Sequence, residues 1–414
     1  MKTYLVGGAV RDQLLNIKSK DRDWVVVGST SDKMLQEGFK QVGADFPVFL
    51  HPKSQEEYAL ARTERKQGHG YQGFTVDFAE DVTLEEDLIR RDLTINAMAK
   101  DDLGNIIDPF NGQQDLTKKV LRHVSPAFQE DPLRVLRVAR FAARFHHLGF
   151  TIAQETLSLM QDISNSGELN HLTAERVWVE TERALTEKSP WVFFETLKNC
   201  HALKTCYPEL DTLFGIPQPA KNHPEIDTGL HSLMSLKQAS LLSKDPAVRF
   251  AALMHDLGKG VTPKENWPKH IKHEVLGLPL VNKMSDRLRI PNRFRELTLK
   301  VAEFHTHVHK AFELKASTLW KLFRQTDALR KPERFNDILL ACIADSQGRT
   351  GFEEAPYPQS IYLKEMLLAA QSVAIKDLVA QGIQGAQLGQ AIEAARITAI
   401  ATAKKKHQEQ GSNV

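Results

Sequence analysis

The sequence predicts an α+β protein, with a small mixed sheet within residues 1–110 and a chain that is almost wholly helical after it. Short apolar runs with strand spacing crowd into the first part. Helical periodicity then recurs through 151–210, 231–260, 275–345 and 360–405. With 414 residues, 42% of them hydrophobic, the chain can bury more than one core, and its length suits roughly two to four domains.

The elements follow in order. Residues 4–6, 24–27 and 46–50 are β-branched or aromatic runs bounded by Gly, Asp or Pro, and 57–62 and 74–78 alternate as half-buried strands do. Between them, 9–15 and 31–38 read as short helices, the second capped by Thr30 or Ser31 and closed by Gly38. Pro132 suits the first turn of a later helix, with Asp131 at its N-cap. Three prolines in residues 217–224 mark a linker, and 349–358 a weaker break. Lys404–Lys406 and the polar residues after them are expected to fray.

Composition narrows the class. With 54 Lys+Arg against 52 Asp+Glu the net charge is +2, which excludes histone-like and strongly acidic chains. It does not exclude a nucleic-acid partner, because phosphate contacts depend on local patches. Three scattered cysteines (Cys200, Cys206, Cys342) form neither a disulfide framework nor a paired-CxxC zinc site. No signal-peptide core and no run of apolar residues long enough for a transmembrane helix is present, so a cytoplasmic protein with no membrane partner is expected.

The front segment carries the first chemistry. Leu5-Val6-Gly7-Gly8-Ala9-Val10-Arg11-Asp12 is a strand, a Gly-Gly turn and a helix, followed by Asp21-Arg22-Asp23 at the head of another strand. Glycine allows a ligand to approach backbone, and amides at a helix start suit phosphate. Arg11, one turn in, can add a charge-assisted bond. Asp21 and Asp23 are two apart on a strand, so their carboxylates share a face. Two such groups are the hard-oxygen donors that Mg²⁺ prefers beside substrate phosphates.

Two arginine blocks follow. Arg90-Arg91-Asp92 stands at a helix start above an apolar stripe. Across 131–144 there are four arginines against one aspartate, and Arg134, Arg137, Arg140 and Arg144 fall within about 120° of arc on a helix. Cations on one face with few acidic partners repel each other unless an anion sits there, so this face predicts a phosphate or nucleotide site. Two decoys fail on context. Gly68–Gly73 matches GxGxxG but leads into a strand, and Gly258-Lys259-Gly260 lacks the rest of a P-loop.

Histidine dominates the middle. His255-Asp256 closes an apolar helix 24 residues after His231 in another, and His270, His273, His305 and Asp345 follow. Imidazole and carboxylate spaced in this way supply ligands for a divalent metal. His305, His307 and His309 would diverge on a helix, so that triplet reads as incidental.

These motifs carry a family resemblance. Gly-Gly-x-x-Arg-Asp followed by Asp-x-Asp resembles the signature of the polymerase-β nucleotidyltransferase superfamily, class II branch, which holds bacterial CCA-adding enzymes and poly(A) polymerases. The resemblance implies Asp21 and Asp23 as metal ligands, Gly8 and Arg11 on the triphosphate, and a third carboxylate for which Glu57 is the candidate. Arg90 to Ala97 is similar to the family's Arg-Arg-Asp-x-Thr-Ile-Asn-Ala motif, which implies Arg91 on nucleotide phosphate and Asp92 on the ribose hydroxyls. Glu130 to Arg134 resembles its Glu-Asp-x-x-Arg element. There Asp131 and Arg134 would meet the pairing edge of the base, and Arg137 and Arg140 would bind the nucleotide. An acid beside an arginine can satisfy C or A, and a good bidentate pair discriminates by roughly 1–3 kcal/mol.

The histidine set resembles the HD superfamily of metal-dependent phosphohydrolases. That implies His231, His255, Asp256 and Asp345 as ligands, with His270, His273 or His305 assisting the substrate phosphate or a second metal. An HD domain behind a class II head is similar to the CCA-adding enzymes of one bacterial group. The implied layout is a polymerase-β-like head over 1–110, a helical neck and body for nucleotide and tRNA over 111–220, an HD domain over 225–350 and a helical tail over 351–414. The implied activities are addition of CCA to tRNA 3′ ends from CTP and ATP, and phosphatase or 2′,3′-cyclic phosphodiesterase action. Mg²⁺ would serve the head and a transition metal, for which Ni²⁺ is a candidate, the HD site. The chain would act as a monomer or homo-oligomer. The alternatives are a poly(A) polymerase and an HD phosphohydrolase whose front end only binds RNA.

Overall fold

In the computed structural model, which describes residues 1–19, 22–42, 47–66, 74–77, 80–221 and 223–411, the chain opens with β1 (Lys2–Val6), α1 (Gly8–Leu14), β2 (Asp23–Val27), α2 (Ser31–Gln36), β3 (Lys40–Val42), β4 (Val48–Leu50) and β5 (Glu57–Leu60). A hairpin of β6 (Thr63–Lys66) and β7 (Phe74–Asp77) follows, then α3 (Leu84–Ile89), β8 (Ala99–Lys100) and β9 (Ile106–Ile107). The main sheet has the order β3-β4-β5-β2-β1-β8-β9. β2 runs parallel to β5, while β1 pairs antiparallel with β2 and β8, so the sheet is mixed as expected.

The run Val25-Val26 explains why β2 is central. Val25 packs with Val6, Leu88, Ala97 and Ala99 in one core, and Val26 with Met34, Phe49, Tyr58 and Leu60 in another. A strand covered on both faces is continuously apolar. The polar β3 and the charged β6 carry no such signal, which is why neither is evident from the sequence. Helix α2 is capped by Thr30, whose hydroxyl accepts from Lys33 N, and it ends two residues before Gly38.

Beyond the sheet come α4 (Gly112–Lys118), the short parallel pair β10 (Val120–Leu121) and β11 (Thr151–Ile152), α5 (Leu133–Phe145), α6 (Gln154–Asn165), α7 (Ala174–Thr186), α8 (Trp191–Asn199) and α9 (Ala202–Cys206). Helix α5 begins one residue later than expected, so Pro132 and not Asp131 takes the N-cap position; Asp131 precedes it, and its Oδ1 accepts from Leu133 N at 3.1 Å.

The chain divides into compact units at Cys206/Tyr207, upstream of the proline-rich stretch expected to be a linker. The second unit contains α10 (Pro208–Asp211), α11 (Thr228–Leu242), α12 (Pro246–Met254), α13 (His273–Arg287), α14 (Asn292–His309), α15 (Ala316–Gln325), α16 (Pro332–Gln347), α17 (Pro358–Gln371), α18 (Ile375–Ala380) and α19 (Gly385–Gly411). Asp227 and Asp245 cap α11 and α12 by accepting from Leu230 N and Ala247 N. Lys404 to Lys406 are helical rather than frayed, because Lys404 Nζ donates to the carbonyls of Phe312 and Leu314. Among the described residues no helix is long and apolar enough to cross a membrane.

Candidate functional site

In the first unit a cleft of about 690 Å³ opens beside β2 and β5. Asp23 stands directly opposite Glu57 in the parallel register, and both line the cleft. Neighbouring strands lie roughly 4.8 Å apart, so two carboxylates of different chain segments converge on one spot. Asp21 lies outside the described residues, as does the Gly68–Gly73 loop.

The Gly-Gly turn forms another wall. Gly7 has φ +68, and a Cβ there would stand 2.8 Å from Arg91 Nη1. The left-handed backbone is what requires glycine here, since the arginine end could swing aside. The sequence marked Gly7 only as half of the Gly-Gly turn; Gly8, the candidate for the triphosphate, opens α1 and also lines the cleft. Arg91 Nη2 donates to Asp87 Oδ2 at 3.1 Å. Arg11 is 3% exposed, donates to Asp12 and Asn96, and lies over the rings of Phe141 and Phe145. It is a buried pillar of the cleft whose burial depresses its pKa against the pull of Asp12.

The face of α5 departs from the expectation of unpaired, mutually repelling cations. Arg137 Nε donates to Asp92 Oδ2 at 2.9 Å, Arg140 Nε to Glu180 Oε2 at 2.6 Å, and Arg144 Nη2 to Asp12 Oδ2 at 2.8 Å. The acids come from distant segments, so local composition could not reveal them. Arg134 is fixed by backbone carbonyls, donating through Nη1 to Ala127 and through Nη2 to Arg90. Among the described residues nine arginines and five carboxylates line the cleft, and this positive excess suits a triphosphate.

Asp92 is 6% exposed. Burial alone would raise its pKa, but Arg137 and the amide of Asn96 outweigh that and hold the carboxyl well below its usual range. With Oδ1 accepting from Leu93 N and Asn96 Nδ2, and Oδ2 from Arg137, any ribose contact by Asp92 requires a partner to be exchanged. Asp131 is held by Arg176, whose Nη2 lies 3.2 and 3.1 Å from its two oxygens. Arg176 and Glu180 sit one turn apart on α7 and were missed from the sequence. Their spacing was legible, but their partners on and beside α5 were not.

In the second unit the histidines converge. His231 comes from α11, Asp345 from α16 and His305 from α14; His273 opens α13, and His255-Asp256 follow α12. His231 Nε2 is 3.0 Å from Asp345 Oδ1, and His255 Nε2 is 3.1 Å from Asp256 Oδ2 and 3.4 Å from Asp345 Oδ1. His273 Nε2 and His305 Nε2 approach Asp256 Oδ1 at 3.4 and 3.6 Å.

Four of these rings face a backbone carbonyl with Nδ1. His231 meets Gly348, His255 meets Ala252, His273 meets His270 and His305 meets Val301 and Ala302. Each such carbonyl accepts an Nδ1 proton, so that the ring, when neutral, presents Nε2 as a lone-pair donor. His273 Nε2 and His305 Nε2 lie only 3.1 Å apart, a contact that either one shared proton or a cation satisfies. Asp256 is 1% exposed and has Lys259 Nζ 2.6 Å from its Oδ2, which leaves Oδ1, facing His273 and His305, as the oxygen without a hydrogen bond. The donor set therefore fits a divalent transition metal. Burial would depress His255, but Asp256 and Asp345 lift it well above the ordinary range, whereas burial leaves His305 well below it.

The neighbouring cleft, of about 470 Å³, carries Lys259, Lys269, Lys272, Lys310 and Arg349 on its walls, a lining that suits phosphate. His270 also lines it, but its ring nitrogens already meet Pro217 O and Thr262 Oγ1. His309 corrects the reading of the triplet as incidental. One helical turn after His305, its Nε2 is 2.7 Å from Asp345 Oδ2 and its Nδ1 2.7 Å from the Tyr357 hydroxyl.

The fold and these two clefts define a nucleotidyltransferase head joined to a helical HD module. Family models agree along the chain: the poly A polymerase head domain matches residues 3–122, the probable RNA and SrmB-binding site of polymerase A residues 149–214, and the HD domain residues 228–346. Multifunctional CCA protein of Hahella chejuensis is 60% identical over 99% of this chain and 98% of its own length. Its counterpart from Pseudoalteromonas atlantica is 60% identical over 97% and 99%. The chain belongs to the multifunctional CCA protein family, and both of its modules depend on divalent metal. Among solved structures, a CCA-adding enzyme with CTP matches with TM-score 0.64 at 22% identity, over 96% of this chain and 87% of that one. The Thermotoga maritima CCA-adding enzyme complexed with tRNA matches with TM-score 0.63 at 21% identity over the same shares. These share the fold.

Proposed function

We propose that this chain adds C, C and A to the 3′ ends of tRNA from CTP and ATP, without a nucleic-acid template, and releases pyrophosphate. The observation that carries this is the meeting, in one cleft, of the Asp23–Glu57 carboxylates with the Asp131–Arg134 pair on the arginine face of α5. Multifunctional CCA proteins at 60% identity support it.

Asp23, Glu57 and Asp21 hold Mg²⁺ in this reading, with Asp21 assigned from the sequence motif alone. Bound there, the metal supplies charge for the attacking 3′ hydroxyl and the departing pyrophosphate. The protein does the rest by position. Gly7 and Gly8 let backbone approach the triphosphate, and Arg91, Arg137 and Arg140 neutralise it. Arg11 keeps the wall rigid. Asp131 and Arg134 offer an acceptor and a donor to the base edge. The helices after α5 take the tRNA acceptor arm through shape and phosphate contacts, since an A-form duplex hides its major-groove edges.

At the HD cluster we propose hydrolysis of phosphate esters, including 2′,3′-cyclic phosphodiesters, with a transition metal such as Ni²⁺ held by His231, His255, Asp256 and Asp345. His273, His305 and Asp256 offer a second position. Such a protein works where tRNA matures, in the cytoplasm.

The deciding experiment offers tRNA lacking CCA together with CTP, ATP and Mg²⁺, and sequences the products. New CCA ends are expected. A-only tails would make the chain a poly(A) polymerase, and unchanged ends would leave only the HD activity.

A further inference from the structure

The proline-rich stretch 217–227 has the composition of a connector, yet several of its described residues are bonded into the HD cluster. Pro217 bridges to Asp227 across its base. The Pro217 carbonyl accepts from His270 Nε2 at 2.8 Å, and Gln218 Oε1 accepts from Lys259 Nζ. Nearer α11, the Glu225 side chain is only 3% exposed. Its Oε1 lies 3.1 Å from His223 Nδ1 and 3.1 Å from His231 Nδ1. The two rings are edge to face, with centroids 4.7 Å apart.

One carboxylate oxygen between two ring nitrogens accepts a proton from each. The Gly348 carbonyl shares the His231 proton at 3.0 Å. Both imidazoles are thereby fixed as Nδ1–H tautomers. His231 turns Nε2 toward Asp345, and His223, which lines the phosphate-suited cleft, keeps Nε2 for that cleft. A carboxylate behind a ligating histidine also raises the basicity of the ligand.

We propose that Glu225 is a positioning residue of the HD centre, holding His231 in its Nε2-donor form and His223 as the outer wall of the substrate cleft. The strap 217–227 is then part of the catalytic module and not a spacer. This rests on the reading of the histidine cluster as a metal centre.

The test measures Ni²⁺ affinity of the full chain by competition with a chromogenic chelator, in excess Mg²⁺, beside the melting of the metal-free protein. Glu225→Ala is expected to weaken Ni²⁺ binding by about 10–100-fold, the usual effect of losing an outer carboxylate. Glu225→Gln, which keeps an accepting oxygen without the charge, should fall between. Metal-free melting should change little in Glu225→Gln, and nucleotidyl transfer in neither. Wild-type Ni²⁺ affinity in both variants overturns the proposal. If Glu225→Ala does not fold, the Gln variant decides alone: weakened binding supports the role and unchanged binding refutes it. His255→Ala separates the underlying reading, because unchanged Ni²⁺ binding there would refute the metal centre itself.

Discussion

Asp23 and Glu57 face each other across the parallel pair of β2 and β5 at the rim of an arginine-lined cleft. Parallel pairing sets them side by side, although 34 residues of chain separate them. Because each is exposed at the end of its strand, replacing Glu57 removes charge without opening a core. Glu57→Gln should cut CCA addition by at least on the order of 100-fold, the upper end of what even an outer metal partner costs. Single-turnover incorporation of labelled CTP checks this, and near-normal rates would remove Glu57 from the metal site.

The two centres should separate by mutation. Asp23→Ala is expected to abolish CCA addition while sparing hydrolysis of a cyclic phosphate, and His255→Ala to do the reverse. A chelator should stop both, with Mg²⁺ alone restoring addition and a transition metal needed for full hydrolysis. Loss of both activities in either folded variant would contradict independent centres.

Arg176 reaches Asp131 from α7. Arg176→Ala should free that carboxylate to turn away from the base edge, blurring the C-versus-A choice by about tenfold to a hundredfold, the range of one good bidentate contact. Sequencing of ends made from mixed CTP and ATP reads this directly. An unaltered order of addition would confine Arg176 to a structural role.

Asp92 links acid stability to the cleft. Its folded pKa lies below the unfolded value of about 3.9, so its stabilisation is complete above that value and is lost as pH falls through the folded pKa. Asp92→Asn should lower stability at pH 7 by about 1–3 kcal/mol and flatten the acid limb of the stability curve. Urea unfolding at neutral pH and near pH 3 tests both. A variant with a wild-type slope between them would show that other groups dominate.

His309 holds the second oxygen of Asp345, with Tyr357 behind it. His309→Ala should reduce phosphohydrolysis by roughly 10–100-fold and leave CCA addition untouched. Tyr357→Phe should show a smaller loss, since the ring still packs. Assay of both reactions on the same preparation makes the comparison, and equal losses in the two would point to misfolding.

Much of this was legible in residue order. Trp24-Val25-Val26-Val27 marked a strand, and the spacing of the glycines, the acids and His255-Asp256 marked two chemistries. The four arginines of α5 were correctly placed on one helical face, because periodicity is a local property. Their neutralisation was not legible, because Asp92, Glu180 and Asp12 approach only when the chain closes over distances of 45, 40 and 132 residues. Proline content likewise suggested a spacer at 217–224, since composition reports backbone freedom but not where Glu225 and Gln218 make their bonds.

By itself, then, the sequence determined the element types, the mixed sheet before the helices, and the identity of the groups able to bind phosphate and metal. These follow from propensity and spacing, which act within a few residues. Only the tertiary structure decided which groups meet: Glu57 beside Asp23, Arg176 on Asp131, and His273 Nε2 against His305 Nε2. Charge and lone-pair interactions depend on distance in space, and that distance is set by packing of segments far apart in the chain.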